Sequence, residues 1–576
     1  MEPTHQQPQD QAMQQALGLQ ELLTHIASYL DKDAITRCCL VSKQWSQAWK
    51  PLCWRDIKWK EPRDFVRNGH LIRNLTLRMS SSSSSYRPVE EIRDHCPNLR
   101  SLHIVDFQFN RAEFEERVLG IQTSPSTTAA SNAAAALQEG EKASSQGAVV
   151  CSKNPFIDSI VARNSYLSNS LHTLQFGVSP EVCAMLLPRL VQAKKAGRLQ
   201  GLKSFRMGES LALGMRLEAH PSWHCTLKLS DILAFLDEFP DLTCFSTGDI
   251  NIINDIGSED TDSSMAAKDV SISSNEEGQQ KRQREYKRMT ELEISSSSSV
   301  VLEPILVRMP QLRVLKMGYI RDARIFPKII QHFPNLTSLH LDLEYYRFFD
   351  RAFTALDLDQ TNQDGIQGWI HLFEGLPALE HLNVMSAQLS LPILKSLTMS
   401  CPRLSSLKAN KGSRLSVLGI LFLLNHAANL RELEVSQKFD AQLFAGNQEP
   451  WKAPLERLHL EEVDLSNDEE NDCFRNRMRQ LPWLKSLETC ARKISHRALL
   501  DEEENEVAAA ANGVVPYPRL EKLIMKQNVS AFEGFISRLV NTMPRLNILE
   551  LDEDYSKEDI QIARRGRQDP TTAAAK

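Results

Sequence analysis

The chain lacks any long apolar run: the longest, Val417 to Leu424, has eight residues, against the roughly 20 that span a bilayer as a helix. No transmembrane helix is expected, and no membrane partner. The opening residues, MEPTHQQPQDQAMQQ, lack the basic start and apolar stretch of a secretory signal. The protein is therefore expected to be intracellular, cytoplasmic or nuclear or both, and not secreted. Cysteine is sparse, with eleven residues and no C-x-x-C pair, which excludes a disulfide framework and argues against redox and zinc-ribbon chemistry. An excess of positive charge is also missing. Lys and Arg total 67 against 73 Asp and Glu, a net charge of −6, so no basic field favours nucleic acid as a partner. The motifs G-x-S-x-G, G-x-G-x-x-G and H-E-x-x-H, the Walker loop and the EF-hand loop are all absent. An enzyme is not expected, and no catalytic, cofactor-binding or metal-binding residue is assigned.

What is present suffices for a folded protein: 42% of residues are hydrophobic and 24% charged. A length of 576 residues exceeds one compact core and suits several domains or an elongated array. Internal repetition decides between these. The pattern L-x-x-L-x-L recurs as PQLRVLKM from Pro310, PNLTSLHL from Pro334, PALEHLNV from Pro377, PRLSSLKA from Pro402, ANLRELEV from Ala428, PLERLHL from Pro454, PWLKSLET from Pro482, PRLEKLIM from Pro518 and PRLNILEL from Pro544. Looser copies begin at Ile72, Leu99, Leu171, Leu202, Leu242 and Met289, fifteen in total. Five of the eight gaps between the nine clear copies are 24 to 26 residues, the period of leucine-rich repeats. Alternate residues of a strand point to opposite faces, so both leucines of L-x-L enter the core and the residue between them faces the concave surface. Segments such as 326–333 read as helices returning to the next strand, with Pro327 in the first turn and Pro334 as the stop. A helical bundle does not account for proline just ahead of most strand motifs. The fold class is α/β: a leucine-rich-repeat solenoid, a curved parallel sheet with outer helices, preceded by a small three-helix module.

The expected boundaries are a disordered start at 1–15, the helical module at 16–60, the array at 61–555 and a C-terminal capping segment and tail at 556–576. Charged or small-residue stretches near 123–150, 255–288 and 499–512 read as disordered insertions, and the serine runs 80–85 and 295–299 as loop expansions. The insertion from Leu343 to Ile370 differs because it is rich in aromatics, including Tyr345, Phe348 and Trp369; it reads as folding back onto the array. His220 and His224 stand four apart, but Pro221 and the lack of nearby partners favour a loop over a metal site. Ser274 with Glu277 reads as a phosphate acceptor if that stretch is disordered, and Arg564, Arg565 and Arg567 as a solvated tail or a weak nuclear-import signal.

Residues 17–57 do not follow the repeat. Leu19, Leu22, Leu23, Ile26 and Leu30 recur at helical spacing, Asp31 or Asp33 suits the cap of a second helix, and Ser42 that of a third carrying Trp45 and Trp49. Glu21, Ile26, Leu30, Asp33, Leu40-Val41-Ser42, Lys43-Gln44-Trp45 and Leu52-Cys53-Trp54 fall in an order that resembles an F-box, with Gln20 where the family usually has proline. The whole chain resembles an F-box and leucine-rich-repeat protein. The resemblance implies that the module docks on a Skp-type adaptor, and through it a cullin scaffold of an SCF-type ubiquitin ligase, while the repeats select a protein substrate. Leu19, Leu22, Leu23, Ile26, Leu30, Val41 and Trp45 are the expected adaptor contacts. The alternative is a non-catalytic scaffold in which these helices only cap the solenoid.

The concave face follows from the repeat. Taking the third, fifth and seventh residue of each copy gives no aromatic residue, seven basic and nine acidic ones, a difference of −2. Mixed signs without rings are unlike a phosphate track. Substrate contacts are expected at Lys316, His340, Asn383, Lys408, Glu432, Glu434, Arg457 and His459, with an apolar anchor from Tyr345, Phe348 and Trp369.

Overall fold

The computed structural model describes residues 20–59, 65–78, 92, 94–105, 170–177, 180–208, 226–256, 284–295, 299–318, 320, 325–343, 363–410, 413–439, 443–444, 451–465, 467–495, 498–500, 517–526, 529–530, 538–539, 543 and 545–551. They fall in two compact units, 1–289 and 290–576.

The first unit opens with three helices, α1 (Gln20–Ala27), α2 (Lys32–Cys38) and α3 (Lys43–Arg55). Asp31 caps α2 by accepting the Ala34 amide at 2.6 Å, and Ser42 caps α3 by accepting the Trp45 amide at 3.1 Å. The helical stripe of α1 turns Leu23 and Ala27 inward onto Trp49, with Ile26, Leu30, Ile35, Trp45 and Leu52 packed partly buried around them. The Trp49 indole N–H donates to the Leu23 carbonyl at 2.8 Å, pinning α3 to α1 and satisfying a polar group that burial would otherwise penalise.

Helix α3 runs without a break into β1 (Asp56–Trp59), which pairs in parallel with β2 (Asn74–Arg78). The ladder continues through β3 (Ser101–Val105), β4 (Thr173–Phe176), β5 (Ser204–Met207) and β7 (Cys244–Ile253), with short β6 (Thr226–Lys228) on the end of β7. Leu75, Leu102, Leu174, Phe205 and Phe245 occupy one register row, all at most 1% exposed. Helices α4 (Pro180–Lys195) and α5 (Leu229–Glu238) belong to this unit. Phe235 of α5 lies 4.9 Å from the Phe205 ring, which ties helix to sheet.

In the second unit, β8 (Glu291–Ser295), β9 (Val314–Gly318), β10 (Ser338–Asp342), β11 (His381–Met385), β13 (Ser406–Asn410), β15 (Glu432–Phe439), β16 (Arg457–Asp464), β17 (Ser486–Ser495), β18 (Lys522–Lys526) and β20 (Ile548–Leu551) pair in parallel, each with the next. A minor ladder joins β12 (Gln388–Leu389) to β14 (Arg414–Leu415), and β19 (Val529–Ser530) pairs with the end of β17. Helices α6 (Ser299–Leu306), α7 (Ile325–His332), α8 (Gln363–Glu374), α9 (Leu391–Ser400), α10 (Val417–His426) and α11 (Asp468–Arg479) return between strands. All fifteen expected repeat copies are strands, and in the first fourteen both inward positions are buried, as at Leu315 and Met317 or Leu339 and Leu341.

Three expectations need revision. The insertion placed at 255–288 is shorter. Asp255 accepts the Ser230 amide at 3.0 Å at the start of α5, while Tyr286, 1% exposed, donates its hydroxyl to Asp237 at 2.8 Å; burying that ring binds 284–288 to α5. Residues 363–370 lie in and around α8, whose inward face carries Trp369, rather than in an added excursion. Leu499 and Leu500, placed at the start of a third insertion, are wholly buried. The insertion at 123–150, the remainder of those at 255–288, 343–370 and 499–512, the serine run 80–85, His220, His224, Ser274, the start at 1–15 and the tail at 556–576 lie outside the described residues.

Leu407 is wholly buried in the middle of the second ladder. Leu407→Ala should destabilise this unit by about 2–5 kcal/mol, the range for leucine truncation in a packed core, read as a lower midpoint in urea denaturation. An unchanged midpoint would show that the inward leucines do not hold the ladder.

Candidate functional site

The helix trio presents apolar groups that its own core does not use. Leu22 is 36% exposed, Tyr29 76%, Leu40 85% and Val41 66%. The turn between α2 and α3 explains the last two. The Leu40 amide donates to the Arg37 carbonyl and the Val41 amide to the Cys38 carbonyl, at 3.0 and 3.1 Å, so the backbone is satisfied locally while both side chains stand in solvent. Tyr29 makes an edge contact with His25, centroids 5.2 Å apart.

The second surface is the face of the β8–β20 sheet opposite the helices. Register places Lys408 beside Glu434, Glu432 beside Arg457, and Glu434 beside His459. Lys408 reaches both Glu432 at 2.9 Å and Glu434 at 3.1 Å. Arg457 lies 3.6 Å from Glu432, and His459 Nδ1 lies 3.7 Å from Glu434, while the Ser406 hydroxyl donates to Glu432 at 2.8 Å. Partial burial opposes both charges, yet hydrogen bonds and opposite charge win: Lys408 is held above its ordinary pKa and Glu432 below the usual carboxylate range. Lys316 forms a similar centre with Glu291 at 3.0 Å and Glu293 at 3.9 Å. Among the described residues no group of three or more His, Cys, Asp or Glu stands ready to hold a metal ion.

Residues 20–58 match the F-box-like family. The helix trio is thus similar to an F-box, and the parallel strands that follow it carry the leucine-rich repeat. No curated protein matches the chain. Solved structures similar to it include the Rad7 and Elc1 complex in yeast, 13% identical, covering 69% of this chain and 81% of that one with a TM-score of 0.32. Another is the leucine-rich-repeat-containing protein LegL7 from Legionella pneumophila, 10% identical, covering 65% and 92% with a TM-score of 0.29.

Within the F-box-like module, the expected adaptor residues divide. Leu22 and Val41 are exposed; Ile26, Leu30 and Trp45 are partly buried against the core, Trp45 with its ring 4.8 Å from that of Trp49. Leu23 is corrected: at 0% exposure, with Trp49 on its carbonyl, it is a core residue. Leu19 lies outside the described residues. Tyr29 and Leu40 are exposed too, although the helical stripe does not single them out, because their exposure comes from a helix end and a turn.

On the array, the structure brings Lys408, Glu432, Glu434, Arg457 and His459 together, while Lys316, His340 and Asn383 stand on β9, β10 and β11. His340 is corrected as an exposed contact. It is 5% exposed, accepts the Asn383 amide on Nδ1 at 3.0 Å, and is pushed down to about 4 by burial, aided by Lys316 and opposed by Asp342. Trp369 is corrected as an anchor: it is 0% exposed, 5.1 Å from the Phe326 ring and 5.6 Å from Phe373. Tyr345 and Phe348 lie outside the described residues.

The charge cluster gives a signed pH dependence. Glu432, lowered in the folded state, contributes stability that is present above the usual carboxylate range and lost as pH falls through its folded pKa. Lys408, raised in the folded state, contributes stability that is present below the ordinary lysine range and lost as pH rises through its folded pKa. Lys408→Met removes the lysine's contribution and the share of the Glu432 contribution that Lys408 supplies, while the Ser406 hydroxyl and Arg457 still hold Glu432. The gap in urea midpoint between wild type and this variant should therefore be widest near neutral pH and shrink on acidification. A gap independent of pH would show that the pairing does not stabilise the fold.

Proposed function

We propose that this protein is the substrate-recognition subunit of a cullin-type (SCF) ubiquitin ligase: the F-box-like module binds a Skp-type adaptor and the leucine-rich repeats bind the protein to be ubiquitinated. The observation that carries this reading is the exposed set Leu22, Tyr29, Leu40 and Val41 on a module that matches the F-box-like family. A helical cap needs an apolar inner face and a polar outer one. Four large apolar groups on the outside of about 40 residues exceed that need and suit a partner surface. The reading assigns the protein no chemistry of its own; it joins a substrate to machinery held by others.

A second reading has its own support. Helix α3 passes directly into β1, β1 pairs with β2, and the Lys32 ammonium donates to the Asp56 carbonyl at 2.7 Å. The module therefore covers the first strand of the array, as a cap does, and a scaffold without an adaptor would be built the same way. The exposed side chains separate the two.

For the full-length chain, Leu40→Asp combined with Val41→Asp should reduce retention of a Skp-type adaptor in a pull-down at least tenfold. The far-ultraviolet circular dichroism should stay unchanged, because both side chains lie outside the core. Adaptor retained at the wild-type level, or never bound by the wild type, would favour the cap.

A further inference from the structure

The longest apolar run of the chain, Val417–Leu424, is α10, and its burial is incomplete. Ile420, Leu421, Leu423 and Leu424 face inward at 7% exposure or less, but Leu418 is 65% exposed. On the adjacent α9, Met399 is 72% exposed, one turn beyond Lys395. A helix apolar on all sides normally belongs in a core; here one side of it remains on the surface. Between α9 and α10 lies an open groove of about 390 Å³, lined by Leu391, Lys395, Leu418, Phe422, Asn425 and His426.

The polar groups of this groove have one character. Neither α9 nor α10 contains an acidic residue. The Lys395 ammonium sits 5.4 Å from the Phe422 ring centroid, and no carboxylate among the described residues pairs with it. His426 stacks on the same ring at 4.0 Å and turns Nδ1 to the Phe422 carbonyl, 2.8 Å away, which leaves Nε2 for another group.

We propose that this groove docks a segment of a partner protein in which a large apolar side chain is flanked by carboxylates. The apolar side chain covers Leu418 and Phe422 and a carboxylate meets the Lys395 ammonium, while His426 Nε2 accepts a hydrogen bond from the segment. Charge complementarity selects an acidic segment over a basic one, and the exposed leucine and methionine select one with an apolar anchor. The groove lies among the helices rather than on the charged sheet face, so it does not depend on the adaptor or substrate roles proposed above.

The test uses the full-length chain and three fluorescein-labelled octapeptides: Leu-Phe flanked by three glutamates on each side, the same core flanked by lysines, and Ser-Gly flanked by glutamates. By anisotropy the first should bind at least tenfold more tightly than either of the others. Lys395→Glu should weaken it at least tenfold and Leu418→Glu should abolish it, with circular dichroism unchanged because both side chains are exposed. Glu434→Lys, on the sheet face, should have no effect. No saturable binding of the first peptide, equal binding of all three, or indifference to both groove variants would overturn the proposal. A concentration-dependent dimer in sedimentation that Leu418→Glu dissolves would also overturn it, by giving the groove to a second copy of the chain.

Discussion

Parallel stacking at one register is the constraint on which the rest of this structure depends. A single repeat has two inward side chains and a row of backbone groups that nothing within it can cover. The next repeat supplies both. In the second unit the row Leu292, Leu315, Leu339, Leu382, Leu407, Leu433, Leu458, Leu487, Leu523, Leu549 runs in register from strand to strand. One residue ahead of each strand, a second row of amides closes on the preceding repeat: Thr337 donates to Arg313, Glu380 to Thr337, Ser405 to Glu380, Arg431 to Ser405 and Glu456 to Arg431, at 2.7 to 2.9 Å. A slip of one residue would turn every inward leucine outward. The Gln437 side chain extends the minor ladder beyond β14, accepting the Leu415 amide and donating to its carbonyl at 2.6 and 3.0 Å.

That register also dictates the chemistry of the sheet face. Strands stand about 4.8 Å apart, so equivalent positions of successive repeats are forced into contact, and like charges there would repel. The chain places opposite charges in contact instead, Lys408 between Glu432 and Glu434, Lys438 2.8 Å from Asp464, and Lys522 3.6 Å from Glu488. Half-exposed pairs of this kind contribute little stability each, on the order of 0–1 kcal/mol. They leave a face on which these charges are already paired; on the function proposed above, a substrate would engage it by exchanging ion pairs rather than by neutralising a bare field.

The array was legible in the sequence because leucine spacing and register express the same constraint. Fifteen strands stand where the leucine pattern puts them, and the caps on α2 and α3 are Asp31 and Ser42, the residue types that cap helices through local backbone bonds. Side-chain exposure was less legible. Trp369 reads as an insertion aromatic because a long gap separates the copies at Leu336 and Leu379, yet it is the inward residue of an ordinary return helix. His340 shares the strand position of Lys316 and Lys408, but it is buried where they are partly open. Both depend on side chains of the adjacent repeat, Phe326 for Trp369 and Asn383 for His340, which period and alternation do not encode. Leu40 and Val41 differ: the F-box resemblance already marks Val41 as a contact, and both side chains stand outward because the core is filled by Leu23, Ala27 and Trp49.

The account divides the chain into a module that holds an adaptor and an array that holds something else. Cross-linking mass spectrometry with an amine-reactive reagent, on the full-length chain mixed with a Skp-type adaptor, measures that division directly. The account predicts adaptor cross-links at Lys43 and Lys50 of the module and none at Lys328, Lys395 or Lys452 of the array. Adaptor cross-links concentrated on those array lysines, or no complex at all, would contradict it.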